Sequence, residues 1–298
     1  MAKIKLRGRI TTAEPMRAHT SFRLGGPADL YVVPADPEDL AAALSILRGE
    51  GVPVFLLGGG TNLLVADRGI RGAVVDLTGI RGLEAGAGMV SALCGTPMDD
   101  AAGFARDRGL SGLEFAASLP GTVGGAVWMN ARCYDREVAD ALVSVESLDE
   151  RLALRRRTVV PEAWGYKRSP FQAADEVIVR AVFRLSPADP RAIDAQMQRH
   201  REDRVAKGHF LHPCAGSVFK NDRSLGKPTG KLIDELGLKG LAVGGAQVAP
   251  YHGNIIVNLG GASAADVRAL IERVEREVAA RLGVRLEREV ILAGDWGD

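Results

Sequence analysis

Cysteine is scarce: Cys94, Cys133 and Cys214 are the three in 298 residues. Three scattered thiols give neither a disulfide framework nor the paired spacing of a zinc site. No metal is expected, and the thiols read as reduced, as in the cytoplasm. No apolar run is long enough to span a bilayer. The opening Met1-Ala2-Lys3-Ile4-Lys5-Leu6-Arg7 lacks the apolar core of a secretion signal, so a cytoplasmic location is expected. Excess charge is lacking too. The formal net charge is +1, which leaves no global electrostatic case for nucleic acid or an anionic membrane as partner. There is no internal repeat and no low-complexity tract. What remains, 46% hydrophobic and 25% charged residues, is ordinary for a globular protein, and the length allows two or three domains with real cores.

Glycine, in contrast, is plentiful. The 36 glycines exceed the usual share and gather in loops, as backbone-lined ligand sites require. The most informative run is Leu56-Leu57-Gly58-Gly59-Gly60-Thr61-Asn62-Leu63-Leu64-Val65. Glycine lets a ligand sit against bare N–H groups, and successive N–H groups pointing into one concavity suit a pyrophosphate. After the loop, Leu63-Leu64-Val65 leads to a turn at Asp67-Arg68-Gly69, so extended chain follows and not a long helix. That excludes the strand–Gly-x-Gly-x-x-Gly–helix of a Rossmann domain, and the absence of Gly-Lys-Ser/Thr excludes a Walker loop. Taken alone, such a run is more often a tight turn than a ligand site.

Along the chain, helices and strands alternate. Asp36-Pro37 predicts an N-cap with proline at the first helical position, and Leu40 to Leu47 is apolar at helical spacing. Gly51 ends that helix, and Val52 to Leu57 reads as a buried strand. Thr96-Pro97 opens a helix ending near Gly109. Ala141 to Val160 carries two alternating stretches about Asp149-Glu150, a hairpin pattern; Arg155-Arg156-Arg157 within it reads as a solvated face. Ser186 to Asp189 is linker-like, and a helix follows from about Arg191 to Ala206. Ser263-x-x-Asp266 is a capping box before the apolar stripe Val267, Leu270, Ile271, Val274 and Val278. A final strand alternates Val284, Leu286, Val290 and Leu292.

Four more segments can carry chemistry. Thr20 to Asp29 is a polar entry to a glycine turn. Gly112 to Ala126 is a second glycine-rich, otherwise apolar stretch. Two such loops can enclose a long ligand, one holding phosphates and the other a flat ring, or can serve close helix–strand packing. Ala215-Gly216-Ser217-Val218-Phe219-Lys220-Asn221 sets a hydroxyl behind glycine, with an ammonium and an amide nearby; a surface turn would look the same. In Leu286-Glu287-Arg288-Glu289-Val290, strand alternation predicts Glu287 and Glu289 on one face.

Together these segments resemble the UDP-N-acetylenolpyruvoylglucosamine reductase (UDP-N-acetylmuramate dehydrogenase) family, in the family's order from Thr20 to Gly294. The most specific pieces are Leu57 to Leu64, Pro120 to Asn130, Ala215 to Asn221 and Leu286 to Val290. Lys231-Leu232-Ile233-Asp234 with Gly237-Leu238-Lys239-Gly240, and Tyr166 to Phe171, also match. The resemblance implies an α+β protein. It would have the two-lobed FAD-binding fold of the vanillyl-alcohol-oxidase superfamily, followed by an α+β substrate-binding domain. The expected divisions are 1–79 for the first lobe, 80–186 for the second and 187–298 for the substrate domain, with the last strand a candidate to return to the first lobe.

The implied activity belongs to peptidoglycan precursor synthesis. Noncovalent FAD takes a hydride from NADPH and delivers it to the enolpyruvyl ether of UDP-N-acetylglucosamine, giving UDP-N-acetylmuramate. The resemblance sets adenine and pyrophosphate against Gly58, Gly59, Gly60, Thr61, Asn62 and Leu63. The isoalloxazine would lie against Ser118, Pro120, Gly121, Thr122, Gly124, Gly125 and Ala126, with Thr20 and Val179 nearby. Hydride reaches the terminal carbon of the double bond, and the carbon beside the carboxylate then needs a proton. The family's donor maps to Ser217 and its glutamate to Glu289. The family arginine of Tyr-Arg-x-Ser does not map cleanly, because the chain reads Tyr166-Lys167-Arg168-Ser169. Lys167 stands at the arginine's place, keeping the charge without the planar fork, and Arg168 follows. Lys207 fits the lysine that meets the UDP phosphates; Lys220 and Asn221 are further substrate candidates.

The chain departs from the family at three further places. Asn-Ala-Gly-Ala-Tyr-Gly appears as Asn130-Ala131-Arg132-Cys133-Tyr134-Asp135, with both glycines replaced. Asp222 follows Asn221 where proline is usual, and Ile291 follows Val290. Phe183 leads straight to Asp189, as in the shorter subtype without the tyrosine-bearing substrate loop. A monomer is expected, with the UDP-sugar and NADPH as its partners. Two rival readings stay open: an FAD oxidase of the same fold, for which His19 would be a candidate flavin tether, and a non-catalytic nucleotide-binding module.

Overall fold

The structure, a computed structural model, describes residues 6–297. The chain forms two compact units that interleave in sequence. The first holds the chain through Thr11, then Leu30–Gly59 and Gly72–Asp203; the second holds Thr12–Asp29, Gly60–Arg71 and the chain from Arg204 onward. The expected segments 1–79, 80–186 and 187–298 do not coincide with these units. Local strand signals do not reveal that two short early segments fold with the C-terminal part.

In the first unit, helix α1 (Pro37–Gly49) starts where the side chain of Asp36 accepts the Asp39 N–H at 2.9 Å. Its Leu40, Ala43, Leu44 and Leu47 are buried in the core of this unit, as the helical spacing predicts. The strand that follows is Val54–Leu57, parallel to Ile70–Asp76 with Val54 opposite Ala73 and Leu57 opposite Asp76. It is less buried than its composition predicts: Leu57 is buried while Leu56 is 37% exposed. These two strands belong to a four-stranded sheet in the order Arg9–Pro15, Pro27–Val33, Ile70–Asp76, Val54–Leu57.

A second, five-stranded sheet runs Leu154–Thr158, Leu142–Leu148, Val177–Arg184, Met89–Leu93, Leu83–Gly86. Its pairings are antiparallel throughout. The hairpin expected about Asp149-Glu150 is its Leu142–Leu148/Leu154–Thr158 pair, and the three arginines are on its exposed edge strand. Helices α2 (Met98–Arg106) and α3 (Val123–Trp128) follow in chain order. Ser186–Pro187, expected as linker, instead pairs with Leu110–Ser111 before helix α4 (Pro190–Ala206).

In the second unit, Ala242–Val243, Ala246–Val248 and Ile256–Asn258 make a three-stranded antiparallel sheet. The short helix α5 (Thr229–Glu235) precedes it. Helix α6 (Ala264–Leu282) buries the predicted stripe of Val267, Leu270, Ile271, Val274 and Val278. Ser263 and Asp266 close the capping box, and Gly283 ends the helix at φ 67, the left-handed C-terminal residue glycine tolerates best. Leu63–Val65 pairs in parallel with Ile291–Ala293, so extended chain does follow the glycine run. The expected final strand from Val284 is thus confined to Ile291–Ala293. Upstream, pairing is limited to one antiparallel bridge between Arg288 and Phe219. Among the described residues, no helix is long and apolar enough to cross a membrane.

Candidate functional site

In the first unit, the two glycine runs meet closely, Gly58 at the Thr122 hydroxyl and Gly59 at the Gly121 backbone. A Cβ on Gly58 would stand 2.8 Å from Thr122 Oγ1, and one on Gly59 would stand 2.7 Å from Gly121 Cα. A side chain at Gly59 would require the opposite backbone to move, and one at Gly58 would displace the Thr122 hydroxyl. The second run is held from behind. Met98 N–H donates to Gly121 O at 3.0 Å, Val123 N–H to Thr96 O at 2.8 Å and Gly124 N–H to Cys94 O at 2.8 Å. Thr122 is buried and caps α3, its Oγ1 accepting the Gly125 N–H at 3.4 Å.

A Cβ on Gly124 would come within 2.9 Å of Cys94 Cβ, so α3 lies directly on the chain after Met89–Leu93. Cys94 N–H in turn donates to Val179 O at 2.9 Å. Val179 is the extra residue of a bulge, because Glu146 pairs with Arg180 and Ser147 with Ile178. Bulges of this kind redirect a strand locally. Burial pushes the Cys94 thiol up to about 12, so it is a packing residue and not a nucleophile.

The N–H groups of Gly58, Gly59, Gly121 and Thr122 find no acceptor among the described residues. Gly58, Gly59 and Gly121 are half-buried, and main-chain donors clustered where two glycine runs touch suit the oxygens of an anion. Bare backbone with free donors is the fit a dinucleotide's phosphates require. Pro120 and Gly125 are exposed beside them, while Ala126 is buried. Ser118 takes the left-handed conformation at φ 63. Its N–H donates to Asp99 Oδ1 at 2.9 Å, and Asp99 also accepts from Arg201 at 3.0 Å. Asp99 was not evident as a site residue in the sequence; only the short Asp99-Asp100 pair at a helix start marks it.

The Tyr166–Ser169 turn is fixed to the other end of α3. Gly165 and Arg168 exchange main-chain bonds of 3.0 and 2.9 Å. Asn130 Nδ2 donates to Gly165 O at 2.9 Å, and Ser169 Oγ to Trp128 O at 2.7 Å. Within the turn, Lys167 adopts φ 55 and is half-buried, while Arg168 is exposed.

In the second unit, Gly60 at φ 62 packs so closely on the His19 carbonyl that a Cβ would overlap its oxygen. Ser21 N–H donates to Gly60 O at 3.0 Å. Thr20 is buried in a closed turn, its Oγ1 donating to Leu24 O at 2.7 Å. Thr61 is half-buried and Leu63 is buried in the ladder with Ile291. Asn62 Nδ2 donates to Glu289 O at 3.0 Å, and Ile291 N–H to Asn62 O at 3.0 Å.

Ser217 and Glu289 lie on neighbouring segments. Val218 O accepts the N–H groups of Glu289 at 2.8 Å and Val290 at 3.2 Å, and Lys220 N–H donates to Glu287 O at 2.8 Å. On the opposite side Ser217 bridges Ile255, and Val218 N–H donates to Asn254 O at 2.9 Å. Ser217 is half-buried between buried Ala215 and Val218. The structure therefore brings Ser217, Glu289 and Asn62 together, with Gly60 and Thr20 in the same unit.

The strand expected to carry Glu287 and Glu289 is corrected to a single antiparallel bridge between Arg288 and Phe219, which the two glutamates flank. Residues 284–290 form no strand, and the side chain of Glu287 is 72% exposed and pairs with Lys220 Nζ at 2.7 Å. Asn221 Oδ1 accepts the Thr229 N–H at 2.9 Å, at the first residue of α5. Lys207 is exposed just beyond α4.

Residues 28–151 match the FAD binding domain family, and residues 208–293 match the family described as UDP-N-acetylenolpyruvoylglucosamine reductase, C-terminal domain. The chain is 41% identical over 314 residues to the UDP-N-acetylenolpyruvoylglucosamine reductase of Treponema denticola, with 97% of this chain and 95% of the relative covered. With that of Geobacter metallireducens it shares 43% over 299 residues, covering 98% and 97%. Among solved structures, UDP-N-acetylenolpyruvylglucosamine reductase from Thermus caldophilus superimposes with a TM-score of 0.78 at 33% identity, covering 97% of this chain and 99% of the other. Identity at this level over nearly the full length, with one ordered pair of matched domains, means that the chain belongs to the UDP-N-acetylenolpyruvoylglucosamine reductase family.

Proposed function

We propose that this protein reduces the enolpyruvyl ether of UDP-N-acetylglucosamine to UDP-N-acetylmuramate, a step of peptidoglycan precursor synthesis, as an FAD-dependent oxidoreductase using NADPH. Bound FAD supplies the hydride carrier between NADPH and the substrate's double bond. The chain's own residues do the rest. The donors of Gly58, Gly59, Gly121 and Thr122 hold the cofactor's phosphates, with Gly60, Thr61, Asn62 and Leu63 completing that loop. Ser118, Pro120, Gly124, Gly125, Ala126, Thr20 and Val179 shape the ring site.

Ser217 gives its proton to the carbon beside the carboxylate. A serine hydroxyl is a weak acid, but the carbon it protonates is a strong base, so the transfer runs downhill. Charge that builds on the carboxylate side needs cationic and hydrogen-bonding help, assigned to Lys167, or Arg168 in its place, and to Glu289. Lys207, Lys220 and Asn221 are assigned to the UDP part of the substrate; Lys220 would first have to exchange Glu287 for it. In this reading, 1–79 and 80–186 serve the cofactor and 187–298 the substrate, and the enzyme works as a cytoplasmic monomer, which sedimentation tests.

The observation that carries the reading is the pairing of the Ser217 and Glu289 segments through Val218 O, on a chain whose relatives are named for this reduction. The His19 ring, the candidate tether of an oxidase, is engaged by Glu14 at 2.8 Å, which supports noncovalent flavin. The test separates two half-reactions by anaerobic stopped-flow absorbance. Ser217→Ala should still be reduced by NADPH but should reoxidise with the enolpyruvyl nucleotide about 10²–10⁴-fold more slowly, the loss expected for a positioned general acid. Ser217→Cys should recover part of the rate. Reoxidation of Ser217→Ala at the wild-type rate would remove Ser217 from the role.

A further inference from the structure

One buried amide accounts for how the Ser217 segment is held. Asn254 is 3% exposed. Its Oδ1 accepts the Phe219 N–H at 3.0 Å, and its Nδ2 donates to Phe219 O at 2.8 Å. Its main-chain O accepts the Val218 N–H at 2.9 Å. The side chain thus imitates a neighbouring strand, pairing both main-chain groups of Phe219 at once. The opposite edge of the segment is held by Glu289 N–H and Val290 N–H on Val218 O, and by Lys220 N–H on Glu287 O.

Asn254 is itself fixed. Its N–H donates to His252 Nδ1 at 3.1 Å, the geometry of an Asx-turn made with an imidazole. Gly230 at the start of α5 leaves no slack: a Cβ there would lie 3.3 Å from both Asn254 Cβ and His252 Cε1. Burial, followed by the charges of Lys207 and Lys239, holds the His252 imidazole below its ordinary range. The Asn254 N–H aimed at Nδ1 makes that nitrogen the acceptor.

We infer that Asn254 is a positioning residue for the proton donor, and that His252 sets Asn254. Ser217 lies two residues before Phe219, so the amide clamp fixes the direction in which the hydroxyl points without touching substrate. A proton donor displaced by about 1 Å loses on the order of 10²-fold in rate. The inference rests on Ser217 as the donor, and the experiment separates the two.

Asn254→Ala and Ser217→Ala are made singly and together in the full-length holoenzyme, and both half-reactions are followed without oxygen. Asn254→Ala should keep its FAD and its rate of reduction by NADPH. Its reoxidation by the enolpyruvyl nucleotide should fall by about 10²-fold at saturating substrate, in kcat and not in KM. In the Ser217→Ala background the same change should cost less than about 2-fold, because residues acting through one another are not additive. Equal slowing in both backgrounds, or no slowing in either, would overturn the positioning role. Ser217→Ala alone reports on the donor assignment.

Should Asn254→Ala fail to fold, the His252 pair gives the same decision. His252→Ala should slow reoxidation, and His252→Asn, whose Oδ1 can accept the same N–H, should restore it. A failure of His252→Asn to exceed His252→Ala would count against the clamp.

Discussion

The two units hold their candidate residues in opposite ways. In the first, the decisive feature is what is missing. Gly59 meets Gly121 with no side chain between them, Gly58 meets the Thr122 hydroxyl, and main-chain donors are left without a protein acceptor. In the second, the main chain around Ser217 is tied on both sides. Asn254 clamps Phe219, Asn62 holds Glu289 O, and Val218 O takes two donors. A large dinucleotide needs close approach and many weak donors, which bare backbone supplies. A single proton transfer needs one hydroxyl held in one direction, which requires a locked scaffold. The contrast predicts different failures: additions should break the first unit's part, and deletions the second's.

The Tyr166–Ser169 turn is where this contrast can break, because it would place side-chain chemistry in the first unit. It also carries the largest effect expected outside Ser217. Lys167 is half-buried and fixed at φ 55, whereas Arg168 is exposed. Lys167→Ala should slow reoxidation by the enolpyruvyl nucleotide about 10²–10³-fold, the usual loss for removing one group that stabilises developing negative charge. Reduction by NADPH should be largely kept. Arg168→Ala should fall well short of that loss. If stopped-flow traces rank the two variants the other way, the role passes to Arg168. If neither variant slows, the first unit contributes backbone alone.

The glycine contact should be the next most sensitive point. In Gly59→Val, a branched side chain would have to displace Gly121 Cα, which stands 2.7 Å from the site of the first added carbon. Overpacking of this kind costs about 1–3 kcal/mol, or roughly tenfold to a hundredfold in cofactor affinity if the fold absorbs it by parting the loops. Purified Gly59→Val should be folded by circular dichroism and largely colourless. A yellow protein with one FAD per chain would show that the loops tolerate separation and that the phosphates bind elsewhere.

Much of this was legible in the residues, and what was not has a physical cause. Local signals worked where the cause is local. The Asp36 cap, the Ser263–Asp266 box and the α6 stripe all form as their spacing predicts. The glycine runs pointed to backbone-lined sites, but no periodicity could say that Gly58 and Gly59 would face Gly121 and Thr122, so far along the chain. Alternation predicted too much at 284–290, because pairing there is limited to a single antiparallel bridge between Arg288 and Phe219. Val52 to Leu57 looked buried because its residues are apolar, yet Leu56 faces outward. Asn254 stayed hidden for a related reason. An asparagine before Ile255-Ile256-Val257 reads as a loop residue, and only its long-range partner at Phe219 turns it into a clamp.

The replaced glycine at Asp135 gives a weaker test of the same backbone logic. Arg132–Cys133 and Arg136–Glu137 form an antiparallel pair closed by Tyr134 at φ 50 and Asp135 at φ 58. Two left-handed residues in a two-residue loop define a turn that favours Asn-Gly or Asp-Gly. Asp135→Gly should relieve strain but lose the exposed pair with Arg132 at 3.0 Å, which is worth about 0.2–1 kcal/mol at most. A small net gain in thermal midpoint is expected. A clear loss would mean that the Arg132 pair outweighs the turn.

The smallest effect comes from a glycine that touches nothing, and it sharpens the meaning of the others. Gly103 lies inside α2, and a Cβ built on it meets no atom within 4 Å. Its φ is outside the left-handed range, so alanine fits the helix without strain. Gly103→Ala should stabilise by about 0.5–1 kcal/mol, since glycine loses more chain entropy on folding than alanine does. In a chain of this length that is roughly 1–3 °C in the thermal midpoint. FAD content and both half-reactions should be unchanged. Gly59 and Gly103 then differ in sign because one added carbon meets backbone and the other meets open space. A fall in midpoint or in flavin content for Gly103→Ala would show that open space around an added Cβ does not distinguish spacer glycines from contact glycines in this protein.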